Sequence, residues 1–346
     1  MMRALFSLCL VAASAFAQTT AMVPPGSLGN VNLPWSAGVG RYQQWYSAPS
    51  LQTWIPEPMR LTRVEFFAGS SLTSNATTIT CEVLLGHGFG SGMTSTFDNN
   101  YATPPVVVAP LQTINLAAGA QGSPVINIPF TTLFTWDRVR PLVLEIRVHG
   151  NGFNNQPFLY NFDGVLTATA ATQRVHQSGS VGAATGLWQQ GVGLKTKFYA
   201  RPGVMLDFGS ACVGGGGIAP KNRTVQIMEP GIAWTHELQN AAVQQFAIWI
   251  MGTTNTSPFP TDVSVLLGYP ASGCMLRTDP AWLGAYVTVG GNPGTGFATF
   301  TWQLPAVTGY IGVSFFTQWI VFDPFSPNGV LTTTQGIHHI CAPVGG

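Results

Sequence analysis

The sequence predicts an all-β chain: two antiparallel β-sandwich domains in tandem, jelly-roll or immunoglobulin-like, behind a cleaved signal peptide. Three observations predict it. Apolar and polar residues alternate with period two along most segments that are not turns. Gly 40 and Pro 25 punctuate the chain at a spacing that suits short strands. Its 346 residues exceed what one compact core usually holds, so two domains are expected.

The first segment, MMRALFSLCLVAASAFAQTTA, carries one positive charge at Arg3, an apolar run from Ala4 to Phe16 and small residues at Ala15 and Ala17. That pattern is a secretory signal over residues 1–17, cut after Ala17. The run falls short of the roughly 20 apolar residues that a membrane helix needs. Losing Arg3 takes the 14 Lys and Arg to 13, level with the 13 Asp and Glu. Such a neutral chain has no field to gather nucleic acid or anionic lipid. Charged residues are only 8%, so Thr, Ser, Asn and Gln must solvate the surface, while 46% apolar and 11% aromatic content excludes disorder.

The strands follow from alternation. In PLVLEIRVHG, Leu142, Leu144, Ile146 and Val148 share one face, with Glu145, Arg147 and His149 on the other. TTITCEVLLGHG puts Ile79, Cys81, Val83 and Leu85 on its apolar face, which makes Cys81 a core thiol. Further strands are expected at LTRVEFFAG, FLYNFDGVL, LKTKFYA, QQFAIWIMG, TDVSVLLG, FATFTWQL, YIGVSFFTQWIVFD and GVLTTTQGI. Only AWTHELQNAAVQQF, from Ala233 to Phe246, competes as a helix, and it lacks a clean apolar stripe.

Pro202 and Gly203 end one strand run, placing the domain boundary near residue 203: an N-terminal domain over 18–203 and a C-terminal domain over 204–346. The glycines of FGSACVGGGGIAP, from Phe208, lie just beyond. A phosphate-cradling loop needs a helix start with a Lys or a downstream acid in register, and neither follows these glycines. They read as a domain-entry turn.

The segment from Phe208 onward, with FGSACVGGGGIAP, AIWIMG, GCML, WQLP, GYIGVSFFTQWIVFDP and SPNGVLTTTQGI, resembles the C-terminal module of uncharacterised secreted proteins that occur in many copies in some large-genome environmental bacteria. YQQWYSA, RLTRVEFF, FTTLFTWDRVRPLVLEIRV and GVGLKTKFYARPG are similar to the N-terminal region such proteins carry. The resemblance implies a two-module β-sandwich fold and no particular chemistry. It also implies a disulfide between Cys212 and Cys274. Cys341 departs from that pattern, leaving either an odd thiol or a rival pairing with Cys212 or Cys274.

The chemistry-bearing residues are sparse. No G-x-S-x-G elbow marks a serine hydrolase, although a triad can converge from distant strands. Glu65, Glu82 and Glu145 fall on polar strand faces near Arg63 or Arg147, where exposed charge pairing is the expected role rather than glycoside cleavage. His338 and His339 point to opposite faces, so only one can join a zinc site with Cys341, and two weakly interacting terminal histidines are expected. Asp98, Asn99 and Asn100 group oxygen donors that make calcium the candidate metal, with loop turn chemistry as the competing reading. Trp35, Tyr42, Trp45, Tyr46 and Trp54 are the densest aromatic group, suited either to stacking on sugar rings or to filling a core.

These features predict an exported, non-enzymatic structural or adhesive component of the cell surface or extracellular space. Glycan binding, with or without calcium, is the alternative, and a secreted hydrolase with a scattered site is the third. Neither a nucleic-acid partner nor a membrane span after the signal is expected.

Overall fold

The computed structural model describes residues 18–25, 29–69, 76–166, 172–268, 271, 273–292 and 294–345. The expected signal over 1–17 lies outside them. The protein is all-β, built of antiparallel sheets, and its backbone divides into two compact units, one ending at Arg201 and the other beginning at Pro202.

The N-terminal unit packs a four-stranded sheet, in the order Thr19–Val23, Thr196–Arg201, Met59–Phe67 and Pro124–Trp136, against a six-stranded one. The larger sheet runs Leu187–Gln190, Thr172–Ser178, Gly40–Tyr46, Leu142–Asn151, Thr77–His87 and Val106–Leu116. Period-two alternation turns Val64, Phe66, Ile126, Ile128 and Phe198 of the first sheet toward Tyr42, Tyr46, Cys81, Val83, Leu144 and Ile146 of the second. Edge-to-face ring pairs lock the layers: Trp35 with Phe66 at 5.1 Å, and Tyr46 with Phe198 at 5.2 Å.

The C-terminal unit has a larger sheet ordered Val204–Phe208, Gly336–Ile340, Ser314–Phe322, Phe246–Gly252 and Trp282–Val287, with Leu331–Thr333 joined to Ser314–Phe322. Over one face lies a three-stranded sheet of Lys221–Thr224, Ala233–Ala241 and Gly296–Gln303. Between them sits a core rich in tryptophan, with Trp234, Trp249 and Trp319 fully or almost fully buried. On the opposite face, Ile250, Ile320 and Leu331 pack with Val263, Cys274 and Leu276 into a smaller core. The Cys212–Cys274 disulfide closes that second core, and Cys81 and Cys341 are free and buried.

Three segments differ from expectation. TDVSVLLG is mostly not a strand: Val263–Leu267 is one helical turn, because Asp262 caps it by accepting from the Ser264 N–H at 2.8 Å. Gly268 ends it at φ 68°, a conformation that costs glycine little. FLYNFDGVL keeps only Gly164–Leu166 as strand, with Phe162 making single bridges to Val31 and Ala68. AWTHELQNAAVQQF resolves into the strand Ala233–Ala241 and the approach to Phe246–Gly252. Its Trp234, His236 and Leu238 are all buried on one strand face.

The glycine run closes onto a carboxylate. Gly215–Gly217 form a single 3-10 turn, and Asp323, almost fully buried, accepts from the Gly215 N–H at 2.6 Å and from the Phe325 N–H at 3.0 Å.

Candidate functional site

A recess of about 530 Å³ lies in the N-terminal unit and is lined by Glu65, Thr113, Asn115 and Asn127 with Ile114 and Ile126. Topology creates it. Val106–Leu116 and Pro124–Trp136 are successive but belong to different sheets. They are tied where the Ala117 N–H donates to the Val125 carbonyl, and where the Thr131 hydroxyl donates to the Val108 carbonyl, and they part in between. Asn127 stands opposite Glu65 across the ladder. The Glu65 carboxylate accepts from the Tyr199 hydroxyl at 2.6 Å, and the Arg63 guanidinium covers the Tyr199 ring at 3.6 Å. The recess therefore mixes one hydroxyl and two amides with apolar side chains, and one carboxylate is already engaged at its side. Such a lining can exchange hydrogen bonds with a neutral polyol.

A second cluster is closed. Glu145 has no exposed surface and is not part of an exposed charge pair, which corrects the expectation for this strand face. Its Oε1 accepts from Arg41 Nε at 2.8 Å and Arg147 Nε at 2.5 Å. Its Oε2 accepts from Gln43 Nε2 at 2.5 Å, Tyr101 at 2.9 Å and Arg41 Nη2 at 3.2 Å. Burial pushes the Glu145 carboxyl up, but the Arg41 hydrogen bond and charge, then Gln43 and Arg147, outweigh it and hold the group below the usual carboxylate range. With its lone pairs spent on the frame, Glu145 is a brace. The 3-10 turn Phe97–Asn100 and the segment around Ala183 fold over this face, and Arg41 reaches the Ala183 carbonyl and stacks on Phe97.

The calcium candidates sit in that cover, and two of the three are already engaged with protein partners. Asp98 Oδ1 is bonded to Arg41 Nη2 at 2.7 Å, a cation already in place. Asn100 is buried, its carbonyl oxygen accepting from the Thr94 N–H at 2.7 Å and its amide donating to Gln43. Asn99 is exposed beside them. Among the described residues, no three His, Cys, Asp or Glu side chains are gathered in a way that could hold a metal ion.

Of the two readings of the aromatic group, four of its five rings take the core one. Trp35, Tyr42 and Tyr46 are 0% exposed and Trp45 is 5%, so their faces meet the core and not a ligand; only Trp54, at 44%, offers a ring to solvent. Trp45 also spends its N–H on the Phe89 carbonyl. A seven-residue strand buried on both faces leaves its rings no outward side.

A histidine–carboxylate contact does occur, His87 with Asp137 at 3.6 Å. It braces a turn: Asp137 caps the Val139 and Arg140 N–H groups and takes Arg140 Nε at 2.6 Å, while burial lowers His87 to about 4. His339 is interior and not a weakly engaged terminal residue: it packs against His236, with ring centroids 5.1 Å apart. Sequence reasoning missed His236, whose only signal was its place between Trp234 and Leu238 on an apolar alternation.

Comparison with protein-family models finds no match, and comparison with curated proteins finds no relative.

Proposed function

We propose that the chain works through its surface, as an exported structural or adhesive β-protein. One observation carries the reading. From Pro280 to Phe322 there is no Asp, Glu, Lys or Arg, and this run supplies the outermost strand of the larger C-terminal sheet, Trp282–Val287. Trp282 and Tyr286 turn into the core, while Leu283 and Val287 face out beside exposed Phe246 and Phe322. A sheet edge of this kind usually carries charge to prevent association, and here it carries none. Fractionation of the native cells, with sedimentation of the purified chain, tests the reading. Recovery outside the cytoplasm together with association that Leu283→Lys abolishes supports it; a cytoplasmic monomer indifferent to that change rejects it.

A second reading, glycan binding, is favoured by the recess at Thr113, Asn115 and Asn127, where exposed amides and a hydroxyl converge. A glycan array discriminates. Sugar binding lost in Asn115→Ala and Asn127→Ala, but kept in Leu283→Lys, favours this reading over the first.

A further inference from the structure

We propose that the His236–His339 contact is an acid-sensitive fastener between the two sheets of the C-terminal unit. His236 belongs to Ala233–Ala241 of the three-stranded sheet and His339 to Gly336–Ile340 of the larger one. Both are 0% exposed, their rings meet nearly at right angles, and Trp234 packs on both, at 4.2 Å and 5.1 Å.

Each ring has one nitrogen satisfied and one spare. His236 Nδ1 lies 3.1 Å from the Thr224 hydroxyl, and His339 Nε2 lies 3.0 Å from the Thr317 hydroxyl. His236 Nε2 and His339 Nδ1 have no hydrogen-bond partner. A neutral imidazole tolerates this arrangement, since it carries a single N–H. An imidazolium carries two, so protonation would leave a buried donor without an acceptor and set two like charges in contact.

No carboxylate faces the pair to compensate. On Lys221–Thr224, Asn222 and Thr224 turn inward while Lys221 and Arg223 are exposed. On Ala233–Ala241, Glu237 lies on the outer side with Arg223 at 3.9 Å. On Val204–Phe208, which pairs with the His339 strand, Asp207 is exposed. His338 occupies the opposite face of its strand, stacked on Phe316. Phe246–Gly252, Gly296–Gln303 and Ser314–Phe322 contribute no charged residue. Tyr286 and Tyr310 pack against this core, Tyr286 being pushed up by burial, and Cys341 is a buried thiol pushed up to about 12 by burial and then Glu229.

The direction of the pH effect follows. Burial, then the neighbouring histidine, lowers His236 well below its ordinary value and His339 to about 3. The unfolded rings take up protons below about pH 6.5 and the folded ones do not, so stability is full above that pH and falls as the medium acidifies. Each ring multiplies the unfolding equilibrium constant about tenfold per pH unit in this window, and the pair about a hundredfold. His338, which burial lowers to about 4, adds in the same direction.

Hydrogen exchange of the full chain across a pH series reads the device. Peptides covering 233–241 and 336–340 are expected to lose protection as pH falls below about 6, before those covering 40–46 and 142–151 do. His236→Asn and His339→Asn should each reduce the pH slope by about one proton. Should either variant fail to fold, ring NMR of the unmodified protein decides: both rings should stay neutral while the fold persists. Reversible titration of either ring near pH 6.5 in the folded protein, or opening of the N-terminal unit first, overturns the proposal.

Discussion

Arg41 and Glu145 stand on neighbouring strands with Nε and Oε1 2.8 Å apart, and neither side chain reaches solvent appreciably. Removing the acid leaves the buried Arg41 with only the exposed Asp98 as an anionic partner. Glu145→Gln should therefore cost about 3 kcal/mol, the low end for breaking a buried ion pair, since Asp98 still offsets part of the charge. Urea unfolding measures it, and hydrogen exchange should show the segment 93–101 loosening first.

The same carboxylate sets an acid limit of its own. Its folded pKa lies below the unfolded value, so its contribution is present above about pH 4.3 and is lost as pH falls through the folded value. Loosening of 93–101 in the unmodified protein should consequently require stronger acid than opening of the histidine fastener. Exchange of both segments in one pH series checks the order.

Cys212 and Cys274 are 62 positions apart in sequence. Cross-linking a loop of that length stabilises by about 4 kcal/mol in the chain-entropy account. Cys212→Ser should lower the melting temperature of the C-terminal unit accordingly. Alkylation without reductant should label neither Cys81 nor Cys341 in the native protein and both after unfolding, because both thiols are buried and free.

Core and surface tryptophans should separate cleanly. Trp35→Ala should cost about 3–5 kcal/mol, because it empties a site with no exposed surface. Trp54→Ala should stay within about 0.5 kcal/mol, as for other surface substitutions. Thermal unfolding of the two variants measures the contrast.

Asp323→Ala should destabilise the C-terminal unit by about 1–3 kcal/mol, because the Gly215 and Phe325 N–H groups lose their acceptor. Denaturant unfolding, compared with Asp323→Asn, checks it.

The β character, most of the strands and the core role of Cys81 were legible in the alternation, since side chains at i and i+2 share a face whatever the partners are. The helical turn at Val263 was not, because five residues are too few for periodicity to outweigh the cap that Asp262 supplies. Nor was the burial of Glu145. Its strand alternates as a half-buried one should, and the polar face is covered because Phe97–Asn100, some 45 residues earlier, and the segment around Ala183 fold across it.

By itself, then, the sequence determined which residues of each strand look the same way, a consequence of backbone pleating that needs no neighbour. Tertiary structure alone decided which of those faces meet solvent. It closed Tyr42 and Glu145 on opposite faces of one sheet, and it joined His236 to His339 across two sheets from positions about a hundred residues apart. Such burial depends on what segments distant in the chain lay over a face, and that information is spread through the whole packed unit.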